Sequence, residues 1–219
     1  IASCLVGSEM CIRDRYLIKS YQPNEPIFLC DIDLPVSNGN LRKMMKDLCD
    51  IGKIKRFDIG IYYLPKKSRL KGGVPLSVDT VAKYKYVCRN GNIEGYYSGY
   101  TFANMLGVTT QVSYTIEIVS NNASAKVREI DLQGRRIILR KSRVPITNEN
   151  YQILQFLDFL KDANEYYDDE NDIFENRIRK YIVDENIKKD DVDLYIKYYP
   201  DKVYRYICLL YTSPSPRDK

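Results

Sequence analysis

Residues 37–64, SNGNLRKMMKDLCDIGKIKRFDIGIYYL, form the stretch that decides the fold of the first part of the chain. Ser37 suits the N-cap of a helix, because its hydroxyl can accept hydrogen bonds from the free amides of the first turn. Gly52 suits the position after that helix, since glycine adopts a left-handed conformation at little cost. Between them, apolar side chains recur at i, i+3, i+4, i+7 and i+8 and predict one buried stripe: Leu41, Met44, Met45, Leu48 and Cys49.

The residues after this helix predict a hairpin. Residues 53–57 and 59–64 have the composition of two strands, with a turn at 58–60. A helix, a glycine, a basic strand, a turn and an aromatic strand follow one another in a winged helix-turn-helix. The pattern therefore favours DNA binding, and the alternative is a small helix-hairpin unit with a solvated basic face. The helix face opposite the apolar stripe carries Asn40, Arg42, Lys43, Lys46 and Asp47.

Charge is distributed unevenly along the 219 residues, whose formal net charge is +5. Residues 37–73 contain ten Lys/Arg against three Asp/Glu, a net charge of +7. Residues 161–193 contain six Lys/Arg against twelve Asp/Glu, a net charge of −6. This asymmetry indicates a nucleic-acid-binding surface in the first part of the chain and a different kind of surface near its end.

Both ends of the chain have an unusual relationship to each other. Residues 4–14, CLVGSEMCIRD, and residues 208–218, CLLYTSPSPRD, can be encoded by the two orientations of one oligonucleotide. That oligonucleotide resembles a transposase-type sequencing adapter, and agreement over eleven residues at both ends is not expected by chance. We therefore interpret residues 1–15 and 208–219 as adapter-derived artefacts. We expect residues 1–14 and 208–219 to contribute little to the cores.

Composition excludes several kinds of chemistry. The chain contains no histidine, which excludes His-containing catalytic triads and His-ligated zinc for these residues. Of the six cysteines, three lie in the terminal segments, and the others have no CxxC spacing: Cys30, Cys49 and Cys88. This usage predicts a reduced, cytoplasmic protein. No apolar run is long enough to span a bilayer, so we expect no membrane partner. We also expect no cofactor.

The second part of the chain alternates between helix and strand patterns. Ser98 and Gly107 suit the cap and the stop of a short helix over 99–106. Turns are predicted at 121–122 and 133–134. The remaining elements are helices over 77–88 and from 147 or 148 to 161, strands over 112–120, 126–130 and 135–139, and an acidic helical tail rich in tyrosine.

These elements predict an α+β fold with an N-terminal winged helix-turn-helix, an α+β domain and a helical C-terminal tail. The basic, glycine-containing stretch 66–73 is the best candidate for a linker between the first two parts. The predicted boundaries place the DNA-binding domain at 16–68, the α+β domain at 69–160 and the acidic tail at 161–207.

Two stretches carry a family resemblance: residues 41–68, LRKMMKDLCDIGKIKRFDIGIYYLPKKS, and residues 96–111, YYSGYTFANMLGVTTQ. Together they resemble the antitoxins of AbiE-type (type IV) toxin–antitoxin systems, over most of 16–160. The resemblance implies a transcriptional autorepressor that binds duplex DNA repeats in its own promoter. It also implies an antitoxin that counteracts a co-encoded nucleotidyltransferase-like toxin, with no enzymatic activity of its own.

The resemblance also implies roles for particular residues. It implies that four residues of the helix face the major groove: Asn40, Arg42, Lys43 and Lys46. It implies that three residues of the hairpin contact phosphate or the minor groove: Lys53, Lys55 and Arg56. The motif of the antitoxin domain comprises Tyr97, Ser98, Gly99, Asn104, Gly107, Thr109, Thr110 and Gln111.

Two other classes of function stay open. One is a metal-dependent nuclease, in which Glu117 on one strand and Glu129 and Asp131 on a neighbouring strand bind Mg²⁺ beside Lys141. Surface charges on strands are the commoner explanation of such a pattern. The other class is a protein-interaction module that does not bind DNA and uses the acidic, Tyr-rich tail.

Overall fold

The computed structural model describes residues 19–66, 74–111, 113–166 and 173–212, and it is a mixed α+β protein. The chain divides into two compact units, Ile1–Val81 and Ala82–Lys219. Within the described residues, no helix combines the length and the apolar character needed to cross a membrane. Each unit is described by itself below.

The first unit contains one long helix and a three-stranded antiparallel sheet. Its sheet has the strand order β1-β3-β2, so β3 pairs with a strand that precedes the helix and with one that follows it. The elements are β1 (Pro26–Phe28), a 3-10 helix (Leu29–Asp31), α1 (Asn38–Asp50), β2 (Lys55–Asp58) and β3 (Ile61–Tyr63).

The predicted ends of α1 are confirmed. The Ser37 hydroxyl accepts a hydrogen bond from the amide of Asn40 at 3.3 Å, and Gly52 has a φ of 73°. The apolar stripe is buried against the sheet, and each such side chain contributes roughly 1.5–3 kcal/mol relative to exposure. This core comprises Ile27, Leu41, Met44, Met45, Leu48, Ile54, Tyr62 and Leu64, with Cys49 packed at its edge.

The hairpin after α1 has its turn where the sequence predicts one, and its strands are shorter than predicted. The Asp58 carboxylate accepts a hydrogen bond from the Ile59 amide at 2.7 Å and so fixes the turn. The pairing register shifts between Arg56 and Asp58, and this irregularity shortens the regular part of β2. Ile59 lies at the tip of the hairpin and is 83% exposed.

The second unit combines a four-stranded sheet with several helices. Helix α2 (Val78–Ala82) lies at the division between the units and continues as a π-helix (Lys83–Val87). The strands are β4 (Cys88–Arg89), β5 (Asn92–Ile93), β6 (Gly95–Tyr97), β7 (Ile116–Ser120), β8 (Val127–Leu132) and β9 (Arg135–Lys141). The helices are α3 (Gly99–Leu106), α4 (Tyr151–Lys161), α5 (Ile173–Asp184), α6 (Lys189–Tyr195) and α7 (Asp201–Thr212), with 3-10 helices at Ala163–Glu165 and Ile196–Tyr198.

The sheet of this unit has the order β6-β7-β9-β8. Strands β7 and β9 are parallel, whereas β6 pairs with β7 and β8 with β9 in antiparallel fashion. The predicted turn at Gln133 and Gly134 is confirmed, because both have positive φ, 51° and 82°, as a tight hairpin turn requires.

Helices α3 to α7 share one core with the sheet. The Phe159 ring lies at its centre and packs against Phe102 edge-on at 5.6 Å and against Tyr166 in a stack at 5.2 Å. Helices of the acidic tail contribute to the same core through Val192 and Val203, both fully buried. In the described part of the tail, apolar side chains therefore face the core, and the acidic residues are exposed or half-buried.

The C-terminal residues differ from expectation. Leu210 and Tyr211 pack against this core, and the Tyr211 hydroxyl donates a hydrogen bond to the carbonyl of Ile187 at 3.0 Å. The expectation that residues 208–219 contribute little to the cores is therefore wrong for these two, because they continue the apolar period of α7 after Val203 and Ile207. Residues 1–15 and 213–219 lie outside the described residues.

Candidate functional site

The predicted DNA-contacting residues of the polar face of α1 are exposed. Asn40, Arg42, Lys43 and Lys46 are all exposed, while the intervening Leu41, Met44 and Met45 are buried. In the part of the chain that the structure describes, the three cations of this face make no hydrogen bond or ion pair. Three unpaired cations on one helix face attract a polyanion without first breaking an internal contact.

The hairpin carries the second group of predicted DNA contacts. Lys53 and Arg56 are exposed and Lys55 is half-buried on β2. The Arg56 Nε donates to the carbonyl of Asp58 at 3.2 Å, which holds the guanidinium beside the hairpin tip. We define the basic surface as Asn40, Arg42, Lys43, Lys46, Lys53, Lys55 and Arg56, all in the first unit.

The motif of the second unit is organised by Glu117, which the sequence suggested only as a metal ligand and not as a contact of the motif. Ser98 is the N-cap residue of α3, but its hydroxyl makes no cap hydrogen bond. The Glu117 carboxylate takes that place and accepts from the amide of Tyr100 at 3.3 Å. The predicted capping role of the Ser98 hydroxyl is therefore wrong, because the charged oxygen from β7 occupies the helix N-terminus.

Gly99 permits this approach. Its φ is 57°, and a Cβ atom there would lie 2.2 Å from Oε1 of Glu117. The Thr101 hydroxyl then ties α3 to β7, because it accepts from the amide of Glu117 at 3.0 Å and donates to the carbonyl of Thr115 at 3.3 Å. The joint between α3 and β7 thus explains why the motif has glycine at Gly99 and why threonine follows at Thr101.

The other end of α3 is closed by the second half of the motif. Gly107 has a φ of 71° and ends the helix as predicted. The Asn104 amide donates to the carbonyl of Thr109 at 3.3 Å, and the Thr109 hydroxyl accepts from the amide of Gln111 at 3.1 Å. Of the motif residues, Tyr97 and Thr109 are half-buried, whereas Asn104, Gly107, Thr110 and Gln111 are exposed.

The carboxylates of the nuclease alternative do not come together. Strand β9 separates Glu117 on β7 from Glu129 and Asp131 on β8, so the expected neighbouring strands are wrong. Glu117 pairs with Arg140 at 3.0 Å, and Glu129 pairs with Arg136. Among the described residues, no group of three or more His, Cys, Asp or Glu side chains is placed to hold a metal ion.

The chain thus combines a unit with an exposed basic helix and hairpin and a second α+β unit built around the joint between α3 and β7. It belongs to a family described as a family of unknown function, DUF6088, whose model matches residues 16–188. No curated protein matches the chain.

Proposed function

We propose that the first unit is a winged helix-turn-helix that binds duplex DNA through the basic surface. The observation that carries this proposal is a set of exposed cations on α1, opposite a stripe whose leucines and methionines are buried. These cations, Arg42, Lys43 and Lys46, have no ion-pair partner among the described residues. The sheet order β1-β3-β2 supports it, since a winged helix pairs a strand before its recognition helix with the hairpin after it.

In this arrangement α1 lies in the major groove and the hairpin contacts the flanking backbone. Arg42 and Lys43 lie near the N-terminal end of α1, where recognition helices usually read base edges. Lys53, Lys55 and Arg56 contact phosphate or minor groove and contribute affinity for any sequence.

The second unit then acts as the antitoxin of a type IV toxin–antitoxin system. The resemblance of residues 96–111 to AbiE-type antitoxins supports this role. The chain represses its own promoter and counteracts a co-encoded nucleotidyltransferase-like toxin in the cytoplasm. Neither role requires a catalytic step by this chain.

DNA binding is tested by fluorescence anisotropy with a duplex from the chain's own promoter and with an unrelated duplex, over a series of salt concentrations. The affinity should fall as the salt concentration rises. The slope of log K against log salt concentration should be about −0.9 for each phosphate contacted. Lys55→Ala and Arg56→Ala should weaken binding to both duplexes alike. Arg42→Ala and Lys43→Ala should also reduce discrimination, by about 1–3 kcal/mol for a bidentate contact to guanine.

Lys180→Ala is the matched control, because Lys180 is an equally exposed cation on α5 of the second unit. It should leave both affinities unchanged. All four substitutions remove exposed or half-exposed side chains, so circular dichroism should show an intact fold. Affinities that respond to none of the four variants, or that respond equally to Lys180→Ala, would refute the basic surface as the DNA interface.

A further inference from the structure

A cavity of about 390 Å³ opens at one edge of the second unit's sheet. Strands β7 and β9 are parallel, so their carboxyl ends meet at this edge, and β6, the start of β8 and α4 complete the walls. Ligand cavities in proteins usually measure about 300–1,000 Å³, so this one is large enough for a small molecule. Its lining comprises Tyr96, Val119, Lys126, Val127, Arg140, Lys141, Ser142, Arg143, Asp158 and Lys161.

Positive charge dominates the cavity. Five of its lining residues are Lys or Arg, and Asp158 is the single carboxylate among them. Asp158 is already paired with Lys161 at 3.1 Å, and Arg140 is paired with Glu117 from outside the lining. Lys126, Lys141 and Arg143 have no carboxylate partner in the described part of the chain. Three uncompensated cations around one cavity favour an anionic ligand.

The three uncompensated cations differ in their contacts with the protein. The Arg143 guanidinium donates to the carbonyl of Tyr198 at 3.2 Å and lies 5.4 Å from the centroid of the Tyr199 ring. Lys126 and Lys141 are exposed. A hydrogen-bonded arginine beside exposed lysines is suited to phosphate, because the guanidinium orients the group and the ammonium groups neutralise it.

The floor of the cavity is apolar. Tyr96 and Val119 are both buried. Burial raises the pKa of Tyr96 well above its ordinary value, so the phenol stays neutral and removes no positive charge from the cavity. An apolar floor beneath a cationic rim matches a ligand that has both a flat apolar part and anionic groups.

A second cavity adjoins the first. It measures about 410 Å³ and shares Lys141, Ser142 and Arg143 with it. Two of the three uncompensated cations, Lys141 and Arg143, therefore line both cavities, and a ligand longer than a single phosphate has room on either side of them.

We propose that this cavity binds a nucleoside polyphosphate, with the phosphates between Lys126, Lys141 and Arg143 and the nucleoside over Tyr96 and Val119. The site lies wholly in the second unit and goes beyond the DNA-binding role proposed for the basic surface.

Isothermal titration calorimetry of the full chain with ATP, adenosine and inorganic tripolyphosphate tests the proposal. The Kd for ATP should be millimolar or lower, and at least about tenfold lower than the Kd for either adenosine or tripolyphosphate. The double variant Lys126→Gln/Lys141→Gln should raise the Kd for ATP about tenfold or more, because it removes two charge-assisted contacts. The matched double variant Lys180→Gln/Lys202→Gln carries the same charge change on exposed helix faces and should leave the Kd unchanged.

Failure to bind ATP would overturn the proposal, as would equal losses in the two double variants. Tripolyphosphate binding as tightly as ATP would overturn the nucleoside part of the assignment. The double variant Lys55→Ala/Arg56→Ala distinguishes this site from the basic surface, because it should bind ATP as the unaltered chain does. Loss of ATP binding in this variant would place the nucleotide on the first unit instead. A chain that binds ATP but no DNA would refute the proposed function and leave this site standing.

Discussion

Replacement of Gly99 by alanine should destabilise the second unit by more than glycine replacements usually do. Two costs add at this position. Alanine at a φ of 57° costs about 1–2 kcal/mol because its Cβ crowds the following carbonyl. The Cβ would also lie 2.2–2.5 Å from the carboxylate atoms of Glu117, so the carboxylate must leave the N-terminus of α3 and its place beside Arg140. Loss of those contacts from a buried carboxylate costs about 1–3 kcal/mol more.

The expected total is about 2–5 kcal/mol, which corresponds to a Tm lower by roughly 5–15 °C for a unit of this size. Urea unfolding followed by circular dichroism measures the change in the free energy of unfolding. Gly91→Ala is the matched control, because Gly91 has a φ of 82° and open space where a Cβ would be added; it should show the backbone cost alone. The double variant Gly99→Ala/Glu117→Ala should cost less than the sum of its two single changes. If Gly99→Ala costs no more than Gly91→Ala, the approach of Glu117 is not the reason for glycine.

Two further predictions concern alkaline stability and the division of labour between the units. Burial, followed by the carboxylates of Asp191 and Asp193, raises the pKa of Tyr211 to about 12 from an ordinary value of 10.0. The unfolded chain therefore loses this proton first, and the free energy of unfolding should fall as pH rises from 10 towards 12, less steeply in Tyr211→Phe; urea midpoints across this range check it, and identical slopes in the two proteins would contradict it. A fragment of residues 74–219 should fold, fail to bind promoter DNA and still protect cells that produce the cognate toxin. A folded fragment that gives no protection, where the full chain does, would show that the first unit is also needed.

Local signals account for the parts of the fold that could be predicted. The ends of α1 and α3 follow from residues next to them: Ser37 and Gly52 for α1, and Gly107 for α3. The hairpin turns at residues 58–60 and 133–134 are equally local, because they depend on which residues tolerate positive φ or bond to the adjacent amide.

The remaining features depend on contacts between residues far apart in the chain. The Glu117 carboxylate accepts a hydrogen bond from the amide of Tyr100, which lies seventeen residues earlier in the chain. No spacing rule links a carboxylate on a strand to a helix that precedes the strand. The prediction that β7 and β8 are neighbours in the sheet was wrong for the same reason. These strands follow one another in sequence, yet β9 lies between them. The cationic cavity collects residues from four strands and a helix, so its members are unremarkable in the sequence until the sheet is assembled.

The strand order β6-β7-β9-β8 has a consequence for how the second unit reaches its native state. Strands β8 and β9 are joined by the two-residue turn at Gln133 and Gly134, so the entropy lost on closing this hairpin is small. Strand β7 must pair in parallel with β9 across all the residues that contain β8, which is a slower, non-local step. We expect the β8–β9 hairpin to form first and to act as the template on which β7 docks. The cavity is lined by residues of β7, β8 and β9, so it should form only once β7 has docked on this hairpin.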